Sequence, residues 1–425
     1  MARRYLFDLC CTAALLLAAV ALFNHRVDPY SLAQSTSAAS GTRYKPAVQQ
    51  RIRLLKAWQT RHRRPDSVVL GSSRAHLGIR PSHPRWRARA ERPFNLAFDG
   101  ATTKEMFLYL RHAQAVSPLK LAIVGLDTWH LTSEPGSTRP DFDQAFLDEG
   151  AAAGDLLRRL GATIKLLTSV DTTLDSLAWV FDRRNDWVDY LADDGQRLGD
   201  VFFHRPEGRF AEIGPRAYFE EIEKLEVRFK LGWRRPRRAP KTYPPRIEAR
   251  DPVTSLGYVG KIIDFCRAHE IELKLFISPS HAWDLELSRL AGEGPAIDRH
   301  KRLLVDGLAR DAAAHPGAAP YQLIDFSDYS SVTTEPLPEA GSRKEMTNYW
   351  DPSHYKQLVG DRILDCLLGG ERCASGHALT SDSLDPTLAE IAGHAEQYRQ
   401  RATEDLASIR GYVDDFKREE GIFDR

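Results

Sequence analysis

An early Gly71-Ser72-Ser73-Arg74 run follows the apolar residues Val68-Val69-Leu70, and far downstream an aspartate and a histidine stand three apart in Asp351-Pro352-Ser353-His354. A serine hydroxyl is a poor nucleophile near neutral pH. Acyl chemistry at serine therefore needs an imidazole within reach and a carboxylate that fixes the tautomer of that imidazole. These segments supply all three groups. Gly-x-Ser is weak alone because it recurs by chance. Both Ser72 and Ser73 qualify as nucleophile, and a serine in such a turn can equally do no more than cap the next helix.

Three other strand ends add polar groups in the same relation. In Asn95-Leu96-Ala97-Phe98-Asp99-Gly100-Ala101-Thr102 a glycine stands at a strand-to-helix junction, where a backbone N–H can face a developing oxyanion; a plain turn glycine is the alternative. Asp127 closes Val124-Gly125-Leu126-Asp127. Asp351 and His354, preceded by Tyr349-Trp350, are expected to open the last helix of the sheet, with the imidazole over the rim and the carboxylate one turn away. His281, after Ser278-Pro279-Ser280, is a further rim histidine, either a substrate contact or a loop residue without role.

The elements that must position these groups alternate between strand and helix. Ser67–Leu70, Phe94–Ala97, Leu119–Leu126, Leu273–Ile277 and Gln322–Phe326 read as short buried strands. Helices are expected over 46–60, after the capping box Thr102-x-x-Glu105, through Leu256, Val259, Ile263 and Cys266, and from Tyr355 to Leu368. The fold class is thus α/β, a parallel sheet covered on both faces, in which ligands bind at the carboxyl ends of the strands. Residues 130–250 break the rhythm with helical segments at 156–167 and 173–180 and a charged, Pro-rich stretch, an insertion expected to cap the strand ends or form a side lobe. From Asp385-Pro386 onward, Leu388, Ile391, Ala395, Tyr398, Ala402, Leu406, Ile409, Val413 and Phe416 recur at spacings of three and four. That stripe predicts one amphipathic helix, docked on a partner helix or along the domain's own surface. The expected organisation is an anchor at 1–24, a linker and packing helix at 25–64, an α/β domain at 65–374 containing the insertion 130–250, and a C-terminal helix at 375–425.

Arg3 and Arg4 precede an apolar run, Leu9 to Phe23, that Tyr5 to Leu9 can extend toward the length of a bilayer span, with Asp8 at the interface. The positive-inside rule puts that end in the cytoplasm and exports the rest. Ala19-Val20-Ala21 offers a signal-peptidase site, but it lacks a polar, small-residue approach, so an uncleaved anchor is expected. Of five cysteines, Cys10 and Cys11 lie in this segment, Cys266 falls on an apolar helix face, and Cys366 and Cys373 are spaced for one local disulfide in an oxidising compartment. The 425-residue chain is 42% apolar and 28% charged with a net charge of +1, which gives no global reason to expect a nucleic-acid partner. Arginine clusters at Arg61 to Arg64, Arg80 to Arg92 and Arg234 to Arg246 are solvated surface, or contacts for headgroups or an anionic glycan.

Taken in order, these blocks resemble the SGNH/GDSL hydrolase superfamily, whose motifs carry Ser, Gly, Asn and His. The Gly71-Ser72-Ser73-Arg74 version, with the N-terminal apolar segment and Val27-Asp28-Pro29-Tyr30, is most similar to membrane-anchored exported members of polysaccharide O-acetylation systems. Related proteins act beside multi-pass membrane O-acyltransferases in alginate acetylation and teichoic-acid D-alanylation. The resemblance covers about residues 24–130 and 255–370. It implies a three-layer, flavodoxin-like α/β fold, and it selects Ser73 over Ser72 as nucleophile, with Gly100 as oxyanion glycine, His354 as base and Asp351 as acid. Two departures stand out: Arg74 where leucine is usual, and Asp127 where an oxyanion asparagine is usual. A carboxylate there repels an oxyanion unless it is protonated, or turned away and paired, for instance with Arg74; Asn95 is an alternative donor. The implied activity is transfer of an acyl group, acetyl above all, through Ser73 to an exported polysaccharide, by an inner-membrane protein with its catalytic domain in the periplasm. Such chemistry needs no metal or nucleotide cofactor. With water as acceptor the same site is an esterase, and a non-catalytic glycan-binding or scaffolding accessory of a membrane O-acyltransferase is the alternative of another class.

Overall fold

The computed structural model describes residues 2–33, 43–132, 142–147, 153–181, 188–189, 191–199, 209–232, 255–369, 373 and 375–421. The chain opens with helix α1 (Ala2–Val27) and continues through α2 (Ile52–Arg63), strand β1 (Ser67–Leu70), the short α3 (Ser73–Gly78), β2 (Pro93–Asn95), α4 (Thr103–Val116) and β3 (Leu121–Leu126). Next come α5 (Ala153–Leu167), α6 (Val170–Phe181), α7 (Pro215–Gly232), α8 (Ser255–Ala268), β4 (Glu272–Ile277), α9 (Ala282–Leu290) and α10 (Gly294–Ala314). The last elements are β5 (Gln322–Asp325), α11 (Gln357–Gly369), β6 (His377–Ala378), α12 (Leu384–Arg401) and α13 (Thr403–Glu419).

These six strands form a mostly parallel sheet in the order β2-β1-β3-β4-β5-β6, with only β6 antiparallel to its neighbour, and Arg43–Tyr44 pairs antiparallel with Val188–Asp189 in a separate two-stranded sheet. All six residues of β3 and all four of β1 are buried, as expected of apolar runs enclosed on both faces. The register aligns Leu70 with Val124, Leu126 with Ile277, and Ile277 with Asp325, so Gly71, Asp127, Ser278 and Phe326 all emerge at one edge. α4 begins with the expected capping box: the Thr102 N–H donates to Glu105 Oε2 at 2.9 Å and the Glu105 N–H donates to Thr102 Oγ1 at 3.2 Å.

α3 and α11 approach backbone to backbone. A Cβ at Gly78 would lie 1.9 Å from the Tyr355 ring, and one at Gly360 would lie 1.8 Å from the Gly78 carbonyl oxygen, so any side chain at either position drives the two elements apart. Arg80, just beyond α3, closes the same seam by donating to both oxygens of Asp361, at 2.7 and 2.8 Å. The arginines of the 80–92 cluster are thus used within the fold, since Arg85 and Arg89 pair with Asp365 and Glu272. The cluster from Arg234 to Arg246 lies outside the described residues.

Several expectations need correction. The predicted C-terminal helix is two helices, α12 and α13, broken at Ala402, whose backbone has left helical geometry. The apolar stripe does not run straight toward a partner. Ile409, Val413 and Phe416 instead join the core of the sheet-bearing unit, while Tyr412 faces Trp283 of α9 and carries Lys224 of α7 over its ring. Asp351 and His354 do not open a helix; they lie in a tight loop before α11, clamped by a bridge between Tyr349 and Tyr355. The 46–60 helix is a 3-10 turn at Pro46–Arg51 followed by α2. α7 and α10 were not anticipated at all.

The chain divides into two compact units, and the insertion contributes to both. One comprises residues 1–65, 111–118 and 138–193 and contains α1, α2, α5 and α6 around a small core of Tyr30, Leu54, Phe146 and Ala162. Within it, Val27-Asp28-Pro29-Tyr30 is a structural corner: Asp28 accepts from the Leu32 and Ala33 N–H groups at 2.9 Å each, and the Tyr30 hydroxyl donates to Asp175 at 2.7 Å. α1 is long and apolar enough to cross a membrane. The other unit holds the sheet and all of the candidate site. Cys366 and Cys373 are joined in a disulfide beside it, and Cys266 is fully buried, with its thiol pKa pushed up to about 12 by that burial.

The seam between α3 and α11 predicts a contrast between two alanine substitutions. Gly360→Ala should lower stability by about 1–3 kcal/mol, because the collision is with backbone that cannot rotate away. Gly393→Ala, in α12 with nothing within 4 Å of its added carbon, should instead raise stability by about 0.5–1 kcal/mol. Chemical denaturation of both variants beside the parent protein checks the pair.

Candidate active site

Ser72 and Ser73 diverge at the end of β1. Ser72 is the N-cap of α3, its hydroxyl accepting from the Arg74 N–H at 3.3 Å, and the same hydroxyl donates to Asp127 Oδ2 in a very short contact. Ser73 takes the first helical position, and its Oγ lies 2.8 Å from His354 Nε2. The two serines are therefore distinguished by partner: Ser72 faces a carboxylate, Ser73 an imidazole. Nδ1 of His354 is held by Asp351, at 2.9 Å from Oδ1 and 2.8 Å from Oδ2. Asp351 also accepts from the backbone N–H groups of Ser353 and His354, both at 2.9 Å, so one buried carboxylate shapes the loop and orients the ring within it.

The electrostatics follow from this geometry. Burial by itself lowers the His354 pKa, but the Asp351 charge and hydrogen bond more than compensate, and the imidazole ends above its usual 6.5. Burial likewise opposes ionisation of Asp351, and His354 with the loop N–H donors overcomes it, holding the carboxyl below its ordinary value. The pair thus keeps Nε2 of His354 free of Asp351 and directed at the serine hydroxyl.

Asp127 stands at the end of β3 and is 1% exposed. Its burial raises the pKa, but Arg74, His130 and the Ser72 and Ser278 hydroxyls pull it below the usual value. Its Oδ2 also accepts from Trp129 Nε1 at 3.0 Å, and Arg74 Nη1 lies 3.9 Å from Oδ1. Arg74 is buried beside the serine and donates to Asp284 at 3.3 Å, and Lys230 reaches the other oxygen of Asp284 at 2.9 Å. The Asp127 carboxylate is therefore paired within a buried charge network. Two further carboxyls from α7, Glu223 and Glu226, have their pKa values raised by burial and then by the neighbouring Asp284.

Asn95 belongs to the scaffold. Its amide donates to the carbonyls of Ala75 at 2.9 Å and Ile79 at 2.7 Å, and its Oδ1 accepts from the Ala97 N–H at 3.0 Å, tying β2 to the far end of α3. Gly100 sits in the following loop with a φ of +62°, a left-handed conformation suited to glycine. The Phe98 N–H donates to Gly71 O at 3.3 Å, which holds this loop against the end of β1. His281 is buried, with Nε2 2.8 Å from the Glu335 carbonyl and Nδ1 capping α9 by accepting from the Trp283 N–H, so it serves the fold.

The sequence reading missed one group at the rim altogether. Arg197 donates to Asp99 at 2.7 Å, and Asp99 meets His76 Nδ1 at 3.3 Å. The segment bearing Arg197 lies along α3, with the Arg197 N–H on His76 O at 2.9 Å and Gln196 Nε2 on Leu77 O at 2.7 Å. Part of the insertion thus flanks α3. Glu223, Glu226 and Lys230 were also missed, although they share one helical face. Charged residues at helical spacing signal a solvated face by default, and nothing in the sequence marks this face as buried. Among the described residues no cluster of three or more His, Cys, Asp or Glu side chains is arranged to hold a metal ion.

No protein-family model matches the chain, and no curated protein matches it.

The charge network behind the serine predicts unequal losses on substitution. Arg74→Met leaves Asp127 and Asp284 short of a buried cation and should destabilise the fold by about 3–5 kcal/mol. Asp127→Asn, which leaves Arg74 paired with Asp284, should cost less. Denaturant titrations of the two variants measure the difference.

Proposed function

We propose that the sheet-bearing unit is a serine acyl-transfer enzyme. The observation that carries this is the chain of contacts Ser73 Oγ to His354 Nε2 at 2.8 Å and His354 Nδ1 to Asp351 at 2.8 Å, at the carboxyl edge of a parallel sheet. In the acylation step Ser73 Oγ attacks the carbonyl carbon of an ester donor while its proton passes to His354 Nε2. Collapse of the tetrahedral intermediate breaks the bond to the leaving alkoxide, which takes that proton from His354. The acyl-serine then meets an acceptor hydroxyl, His354 removes its proton, and the reverse sequence delivers the acyl group and restores Ser73. Asp351 stays ionised throughout and stabilises the imidazolium. The N–H groups of Gly100 and of Ser73, at the first position of α3, are the candidate donors to the oxyanion.

The sheet order β2-β1-β3-β4-β5 is that of flavodoxin-like folds and supports the resemblance to SGNH hydrolases. The candidate membrane helix and the Cys366–Cys373 disulfide support an exported, membrane-anchored protein with the site in the periplasm. By the resemblance to members of polysaccharide O-acetylation systems, the proposed acceptor is an exported polysaccharide and the proposed acyl group acetyl, with a multi-pass membrane O-acyltransferase as a candidate partner. Hydrolysis of glycan or lipid esters is the same chemistry with water as acceptor. A purely non-catalytic accessory is less well supported, because Ser73, His354 and Asp351 are within hydrogen-bond reach of one another and the Asp127 carboxylate is paired with Arg74 and Ser72.

Two results test the proposal. Ser73→Ala and His354→Ala should each lower the rate of p-nitrophenyl acetate cleavage by at least about 10³-fold; unchanged rates would reject it. Acylation needs neutral His354, whose pKa is raised, so activity should fall as pH drops through a value above 6.5. Asp351→Asn should move that acid limb to lower pH and depress the plateau by about 10³- to 10⁴-fold. Product analysis with and without an oligosaccharide acceptor separates transfer from hydrolysis.

A further inference from the structure

α5 and α6 form a hairpin whose amphipathic pattern is inverted. Leu157, Leu160 and Ile164 on α5 are 73%, 50% and 61% exposed, and Val170, Leu174 and Phe181 on α6 are 72%, 58% and 75% exposed. These positions follow one another at three, four or seven residues, so each helix turns a continuous apolar stripe outward. On α6 the polar residues face the other way, while α5 turns Ala162 and Leu166 inward. Thr172 and Ser176 of α6 are buried, and the Tyr30 hydroxyl bonds to Asp175. A water-facing hairpin has the opposite arrangement.

The end of the candidate membrane helix is fastened to this hairpin at its turn. Asn24, fully buried near the end of α1, donates through Nδ2 to Leu167 O at 2.8 Å and to Thr173 Oγ1 at 2.9 Å. α1 has 26 residues, a length of about 39 Å at 1.5 Å per residue, against a hydrocarbon core of about 30 Å. Its last turns, and the hairpin turn bonded to them, therefore fall at the membrane boundary. Exposed Lys165 lies at the end of α5, and the last turn of α1 carries Arg26, giving the region cations at headgroup level.

We propose that α5 and α6 lie in the interfacial layer of the bilayer that α1 crosses, with their apolar stripes on lipid acyl chains. The occupant is lipid rather than a second protein because the stripes adjoin α1, whose apolar window is itself wholly exposed and must meet hydrocarbon. This hairpin makes the attachment two-part, a spanning helix and a surface float, and fixes the orientation of their unit at the membrane. The inference rests on α1 spanning the bilayer and is independent of the acyl chemistry.

Spin labels on the full-length chain in liposomes of phosphatidylethanolamine and phosphatidylglycerol test it. Single cysteines replace Leu160 or Leu174 in a background of Cys10→Ser and Cys11→Ser, with Leu16→Cys in α1 as the lipid reference and Gln397→Cys, at an exposed position of α12, as the aqueous one. Labels at 160 and 174 should collide with lipid-dissolved oxygen several-fold more than the label at 397 does, and less with a water-soluble nickel chelate. Accessibility matching the label at 397, with the label at 16 in lipid, overturns the proposal alone. Shielding from both reagents overturns it in favour of a second copy or a membrane protein on the stripes. A label at 16 that sits in water removes the anchor and the hairpin proposal together.

Discussion

The contact on which the site depends is the absence of side chains between α3 and α11. Gly78 and Gly360 let the helix that begins with Ser73 and the segment that follows His354 meet at backbone distance, with the Tyr355 ring filling the remaining space. Two residues 281 positions apart in the chain are thereby brought to a hydrogen-bond separation of 2.8 Å. Hydrogen bonds of the site cannot create this arrangement, because each is worth only about 1 kcal/mol net. Packing decides the geometry, and the polar contacts then select among the few rotamers it leaves. Asn95 on one side of α3 and Arg80 with Asp361 on the other hold the seam at both flanks.

Burying ionised groups beside a nucleophile is expensive unless each has a partner, and here the partners are shared. Arg74 serves Asp127 and Asp284, and Asp284 serves Arg74 and Lys230, so the charges alternate along the network. The arrangement explains how an aspartate can be buried at the end of β3. Its negative charge is taken up by Arg74 and by the Ser72 hydroxyl, which also fixes Ser72 as the cap and leaves Ser73 to the imidazole. Neighbouring serines thus have separate partners, one capping α3 and one held at His354.

The sheet and its rim are legible in the sequence because both are written in local patterns. Buried strands appear as continuous apolar runs, and polar residues just past them mark the carboxyl edge, so the residue pattern points to the Ser72–Ser73 turn, Asp127 and the Asp351–His354 pair without choosing between the two serines. What joins them is not written locally. Gly78 and Gly360 look like ordinary glycines until they are seen facing one another. The same limit applies to Arg74 and Lys230, whose partner Asp284 lies far away in sequence. The C-terminal stripe was read correctly as apolar periodicity but wrongly as one helix, since spacing of three and four continues across Ala402 while the backbone does not. In α5 and α6 the period was visible too, yet only the structure shows that the apolar side is the outer one.

A candidate spanning helix belongs to one unit, and a half-buried serine and histidine with a buried aspartate occupy the rim of the other. The central claim is that Ser73 carries the acyl group during turnover. Mixing the protein with p-nitrophenyl acetate, quenching in acid within the first turnovers and mapping the peptides by mass spectrometry tests this directly. The account predicts one acetyl group on the peptide containing Ser73, on Ser73 rather than Ser72, and none when His354 is alanine. Acetylation confined to surface lysines, or equal labelling of Ser73 with and without His354, would contradict it.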